Sequence, residues 1–191
     1  MQDVFILERT TKINPTDSYI ISYPYFLSYF AQKTSYGVED VVCGAHMVYG
    51  WMPTILDLYL DPTTPTLVEA ADLLSEAKRC GNLTDNELER LATLINNSLV
   101  GTSKLLHFIA PEHFAIWDSR VYSFVYEERP YHERVNQVQK YRKYMEILTE
   151  LQGDHRFPQF HSSMNKKIRY EVSPLRSLEI VMYLNAPKFR S

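Results

Sequence analysis

Little in this chain would staple, hinge or anchor it. It carries only two cysteines in 191 residues, Cys43 and Cys80, and neither belongs to a Cys-x-x-Cys pair. That excludes a disulfide framework and a cysteine-ligated zinc site, and it predicts two buried free thiols. No apolar run approaches the roughly 18 residues that a membrane helix needs. The N-terminal MQDVFILERT lacks the basic-then-apolar pattern of a signal peptide, so a cytoplasmic protein with no membrane partner is expected. There is no P-loop, no Gly-x-Gly-x-x-Gly, no Gly-x-Ser-x-Gly and no His-Glu-x-x-His. Phosphate-loop nucleotidases, dinucleotide enzymes, hydrolases of the nucleophile-elbow type and zinc peptidases thereby lose their motif support. His107 and His113 are six apart, as are His155 and His161, but neither pair has a carboxylate set around it, and no metal site is expected.

Net charge is small, −3, but the charges are unevenly placed. Residues 1–128 hold 8 Lys/Arg against 17 Asp/Glu, and residues 129–191 hold 12 against 6. Such polarity is consistent with a basic face on an acidic body, or equally with solvated helix surfaces.

What is present reads as helix. Tyr19, Tyr23, Phe26 and Phe30 form one stripe of a helix beginning near Asp17, a core face interrupted by Pro24. Residues 38–50 read as a second helix, and Pro53 suits the first position of the next. Thr64-Pro65 signals a helix burying Leu67, Ala70, Leu74 and Ala77 and ending at Gly81. Thr84 and Glu87 make a capping box for a helix over 84–97 that points Leu88, Leu91 and Ile95 inward. A short helix is expected from Thr102 or Ser103, another from Asp118, a long charged one over about 133–151, and a final one capped by Ser173-Pro174. The segment 153–172 is polar and irregular, part helix at most. With no strand pattern, repeat or linker, the expected fold is all-α, a single domain or two lobes, built as a compact array of about eight to ten short helices.

The chemistry concentrates in LVGTSKLLHFIAPEHFAIWDSRVYSF, residues 99–124. Two helices joined by the turn NSLVGT would form a hairpin whose second N-terminus offers backbone amides to a phosphate. Lys104, in the first turn after that hairpin, sits near the positive end of the helix dipole. Partial desolvation there disfavours the ammonium form, the condition for an amine nucleophile. Fourteen residues on, Asp118 at a helix N-cap would stay ionised and could stabilise a cation or accept the lysine's proton. A surface lysine and a structural cap explain the same residues without chemistry.

The segment LVGTSKLLHFIAP…FAIWDSRVYSF resembles the active-site segment of the helix-hairpin-helix DNA glycosylases, particularly the 8-oxoguanine glycosylase-like branch. Gly101 falls on a hairpin glycine and Lys104 on the nucleophilic lysine. Leu105, Leu106 and Phe108 fall on the apolar helix, Asp118 on the catalytic aspartate and Val121 on the next packed turn. The terminal SPLRSLEIVMYL is similar to the family's final helix in a generic way. The resemblance covers roughly 84–126, and it implies lysine attack on the sugar of a flipped damaged or modified nucleotide, with the aspartate stabilising the sugar cation. A Schiff base then allows β-elimination, that is, lyase activity. The resemblance implies no cofactor beyond an alkali-metal ion held by hairpin backbone carbonyls. The pattern departs from the family in having a single hairpin glycine, Val100 in place of a proline-glycine pair, and a shorter Lys-to-Asp spacing.

Around this pair, Gly101, Thr102, Ser103 and Arg120 are candidate phosphate contacts, and so are the clusters Lys166, Lys167, Arg169 and Lys140, Arg142, Lys143. Trp117, His161 and Asn165 are candidates for a base pocket, with core packing the alternative for the tryptophan. Three functions stay open: a glycosylase acting in repair or phage defence, a non-catalytic helix-hairpin-helix nucleic-acid module, and a helical adaptor whose basic C-terminal third binds an acidic protein partner.

Overall fold

The structure, a computed structural model, describes residues 1–52 and 54–189. Among them the chain forms eleven α-helices and no strand, with one isolated antiparallel bridge between Leu58 and Ile95. The fold is thus all-α, as the periodicity predicts. Pro53, expected to open a helix, lies outside the described residues. No described helix is long and apolar enough to cross a membrane. The chain divides into a central unit, Tyr23–Phe114, and a terminal unit made of Met1–Ser22 and Ala115–Ser191.

The central unit is built around α6 (Leu99–Ile109), which packs against α3 (Val38–Trp51), α4 (Leu67–Cys80) and α5 (Asp85–Leu94). Helix α2 (Ser18–Ala31) enters it at Tyr23 and brings the aromatic stripe. The rings of Tyr23, Phe26 and Phe30 lie 5.5, 5.1 and 6.3 Å from that of Phe108, whereas Tyr19 is exposed. Helix α4 is capped by Thr66 rather than Thr64: Glu69 N–H donates to Thr66 Oγ1 at 3.2 Å, and Thr66 N–H donates to Glu69 Oε2 at 2.8 Å. Gly81 closes α4 in the left-handed region, φ 65°. The Thr84–Glu87 box opens α5 as expected. The two cysteines are exposed, not buried. Cys43 falls on the outer side of α3, whose inward positions are Val41, Gly44, Ala45 and Val48, and Cys80 is the last residue of α4.

The terminal unit gathers α1 (Val4–Thr10), α7 (Ser119–Tyr126), α9 (Val138–Gln152) and α10 (Phe157–Ile168) against α11 (Pro174–Leu184), with the short α8 (His132–Val135) packed on α9. The single helix expected over 133–151 is two, divided at Asn136-Gln137. The polar segment after it folds into a full helix, α10, with Pro158 in its first turn, where a missing N–H costs nothing. Pro24 does not break α2. The carbonyl of Ile20, four residues before it, takes a 2.7 Å hydrogen bond from the Tyr170 hydroxyl in place of the N–H that proline lacks.

Candidate functional site

The hairpin differs from the sequence reading in where it turns. Helix α5 ends at Leu94, and Asn96 and Asn97 both adopt the left-handed conformation, φ 59° and 47°. Two short amides therefore reverse the chain, a role their side chains tolerate better than most. Ser98 then caps α6, accepting from Gly101 N–H at 3.3 Å. Gly101 lies inside the helix, and its reason is packing: a Cβ there would overlap the Tyr49 ring and hydroxyl. The turn is strapped by residues 57–59, with Tyr59 N–H donating to Leu94 O and Asn96 N–H to Asp57 O.

Lys104 is consequently the sixth residue of α6, one turn deeper than expected, which removes it from the positive end of the dipole. Thr102 and Ser103 are buried, and their hydroxyls donate to Ser98 O at 2.9 Å and Val100 O at 3.0 Å. The Gly101 amide and these two hydroxyls thus serve the turn itself. Its carbonyls do likewise: Leu94 O accepts from Tyr59 N–H, and Ile95 O from Ser98 N–H at 3.1 Å. What stands out is burial. Every residue of α6 except Val100 is buried, and Lys104 is 8% exposed. Lysine almost never reaches that state unless its head group is paired or hydrogen-bonded.

Asp118 belongs to the terminal unit. It follows an extended segment whose backbone is held by aromatic side chains. Tyr141 and Tyr144 hydroxyls donate to Ala115 O at 3.1 Å and Ile116 O at 3.3 Å. Trp117 Nε1–H donates to Val135 O at 2.8 Å, and the indole is fully buried. Its ring packs on Tyr144, Tyr122 and Tyr141 with centroids 5.1, 5.8 and 6.2 Å away, so Trp117 is core and presents no face for a base to stack on. Held this way, Asp118 caps α7: its Oδ1 accepts from Arg120 N–H at 2.9 Å and Val121 N–H at 3.0 Å.

The sequence reading passed over a buried ion pair on the final helix. Arg176 and Glu179, 6% and 2% exposed, bond to each other one turn apart in α11. Burial first, and then the charges of Glu179 and Asp118, push the Tyr144 phenol well above its ordinary range, while Arg176 opposes them. The signal was an Arg and a Glu at i, i+3 in an otherwise apolar helix.

The remaining candidates divide by use. His161 Nε2 donates to Val172 O at 2.8 Å, and Asn165 Oδ1 accepts from Val172 N–H at 3.1 Å. Together they hold both backbone groups of Val172 just before the Ser173 cap of α11, a structural task rather than base reading. Lys167 pairs with Glu8 and donates to Glu8 O at 2.5 Å and Thr11 O at 3.3 Å, closing the C-terminus of α1. Lys166 and Arg169 are exposed, Arg169 ending α10 with φ 75°. Lys143 pairs with Glu146, and Lys140 Nζ lies 3.9 Å from the Tyr126 ring centre. The Arg120 guanidinium carbon lies over Tyr183, 4.2 Å from its ring centre, beside a cleft of about 780 Å³. Among the described residues no group of three or more His, Cys, Asp or Glu is placed to hold a metal ion.

No family model, curated protein or solved structure matches this chain. The side chains offer an amine withdrawn from water on α6 and a carboxylate fixed at the start of α7.

Proposed function

We propose that the protein is a DNA N-glycosylase with lyase capacity, using Lys104 as nucleophile and Asp118 as the carboxylate. The observation that supports it best is the burial of Lys104 on the second helix of a helical hairpin. Removing an ammonium from water favours the neutral amine, and a neutral amine has the lone pair that attack requires. In this reading Lys104 Nζ bonds to C1′ of a flipped nucleotide as the C1′–N bond to the base breaks, the base leaving with the electron pair. Asp118, whose Oδ1 caps α7, would supply the carboxylate that stabilises the positive charge developing on the sugar. Loss of a proton from nitrogen and opening of the sugar ring give the Schiff base, from which β-elimination breaks the C3′–O bond.

The test is borohydride trapping on duplexes holding an abasic site or 8-oxoguanine. Covalent capture that disappears in Lys104→Ala and in Lys104→Met, which keeps the aliphatic stem, supports the enzyme. A second reading is favoured by the capping role of Asp118, which accounts for that carboxylate without chemistry: the hairpin fold without catalysis, as a nucleic-acid-binding module. Salt-sensitive DNA binding with no capture on any such substrate would select it. Absence of binding to DNA or RNA at low salt would leave a helical protein-interaction adaptor.

A further inference from the structure

The terminal unit contains a feature that the Lys104 chemistry does not use. Between the start of α7, the 129–131 loop and the segment following α11 lies the 780 Å³ cleft, and all its lining residues belong to that unit. Its charged lining is of one sign: Arg120, Arg129 and Lys188 face it, and no carboxylate lines it among the described residues. In a chain whose net charge is −3, that is a local concentration of positive charge. Two of the few exposed aromatic rings of the molecule also line it, Tyr131 at 48% and Phe189 at 40% exposure. Exposed rings on the wall of a basic cleft are the combination that takes a planar ring and an anion together.

Volume and preorganisation narrow the ligand. The cleft lies in the range of about 300–1,000 Å³ typical of small-molecule sites, too small for a duplex groove and suited to one nucleotide. The Arg120 guanidinium carbon already lies 4.2 Å from the Tyr183 ring centre, a contact that restrains the side chain and lowers the ordering cost of a two-pronged contact to a phosphate. Tyr131 is flanked by the guanidinium carbons of Arg134 and Arg129, 5.3 and 6.0 Å from its ring centre, so its orientation is also restrained. The small hydroxyl of exposed Ser119 completes the wall, of the size to accept or donate to a sugar, while that of buried Ser123 donates to Ser119 O at 2.8 Å.

We infer that this cleft is a nucleotide-binding site, with Arg120 and Arg129 on the phosphate and Tyr131 and Phe189 against the base. It operates without Lys104 and is independent of the proposed glycosylase reaction. The chemistry is that of a 5′-phosphorylated nucleoside, free or at the end of a strand.

The test is calorimetric titration of the full chain at low salt with adenosine 5′-monophosphate, adenosine, inorganic phosphate and a 5′-phosphorylated oligothymidylate. The monophosphate should bind at least about tenfold more tightly than either adenosine or phosphate, because only it engages both walls. Arg120→Ala and Tyr131→Ala should each weaken it by about tenfold or more, with thermal unfolding unchanged, since both side chains line the surface. Phe189→Ala, at the end of the described chain, provides a variant with little reach into the core. Lys104→Met should leave the affinity as it was while abolishing borohydride capture, which separates this site from the glycosylase proposal. An oligonucleotide that binds tenfold more tightly than the monophosphate and competes with it assigns the ligand to a strand end; equal affinity assigns it to a free nucleotide. Monophosphate binding no tighter than phosphate, or unaffected by both Arg120→Ala and Tyr131→Ala, overturns the inference.

Discussion

The Tyr23 hydroxyl and His107 Nε2 lie 2.7 Å apart in the buried centre of one helical unit. The other ring nitrogen, Nδ1, is 2.7 Å from the Phe114 carbonyl, which can only accept. The tautomer follows: Nδ1 carries the proton and Nε2 accepts from Tyr23. The imidazole ties α2 to the segment that leaves α6. Replacing His107 with Phe keeps the volume and removes both bonds, at a cost of about 2–4 kcal/mol, while Tyr23→Phe removes one and costs about 1–2 kcal/mol. Urea denaturation of the two variants measures the difference, and equal costs would show that the Phe114 bond contributes nothing.

Two glycines in one unit should respond with opposite signs. Gly101→Ala drives a methyl into the buried Tyr49 ring beneath the asparagine turn, and a loss of about 1–3 kcal/mol is expected. Gly50, exposed near the end of α3, has nothing within 4 Å of an added Cβ. Gly50→Ala should therefore stabilise by about 0.5–1 kcal/mol through helix propensity. Paired thermal melts show whether the midpoint moves down in one and up in the other.

Asp118 allows its structural and chemical roles to be separated. Asparagine caps helices about as well as aspartate, so Asp118→Asn should retain stability within roughly 0.5 kcal/mol, whereas Asp118→Ala should lose about 1 kcal/mol. If the proposed chemistry is right, both variants lose base excision. An Asp118→Asn protein that excises at the wild-type rate removes the carboxylate from the mechanism.

Alkali should unfold the protein through its tyrosines. Burial first, then the charge of Asp40, pushes Tyr36 up from 10.0 to about 12. Burial, then Tyr122 and Glu128, does the same for Tyr126, also to about 12. Tyr141 and Tyr144 are raised further by their complete burial. Between pH 10 and 12 the unfolded chain has lost these protons and the folded chain still holds them, so stability must fall as pH rises through that window. Tyrosinate absorbance that develops in step with loss of helical circular dichroism would show this coupling. Full ionisation at pH 10 with the helices intact would refute it.

Local rules made much of the fold legible. The Thr84–Glu87 box, the Asp118 cap and the Ser173-Pro174 start lie where short-range hydrogen bonding requires them. The errors arose where a distant residue decides. Gly101 looked like a turn glycine because nothing nearby in sequence reveals that Tyr49, on another helix, needs its space. Pro24 looked like a kink or a helix start because its substitute donor, Tyr170, is 150 residues from the carbonyl it serves. Lys104 and Asp118 could be singled out by residue type and spacing, yet the burial of Lys104 could not, since it depends on three helices packing around α6. His161 and Asn165 read as ligand-facing polar groups, and only the position of Val172 shows what occupies them.

The chain has two tryptophans, and the two units hold one each: Trp51 in 23–114, Trp117 in the other. Trp117 is sealed from water, while Trp51 is partly open and packs on Phe108 at 5.2 Å. The protein thus carries a native optical label in each half. Single Trp→Phe variants turn a fluorescence melt into two separate records, and whether their midpoints coincide reports directly on how cooperatively the molecule comes apart.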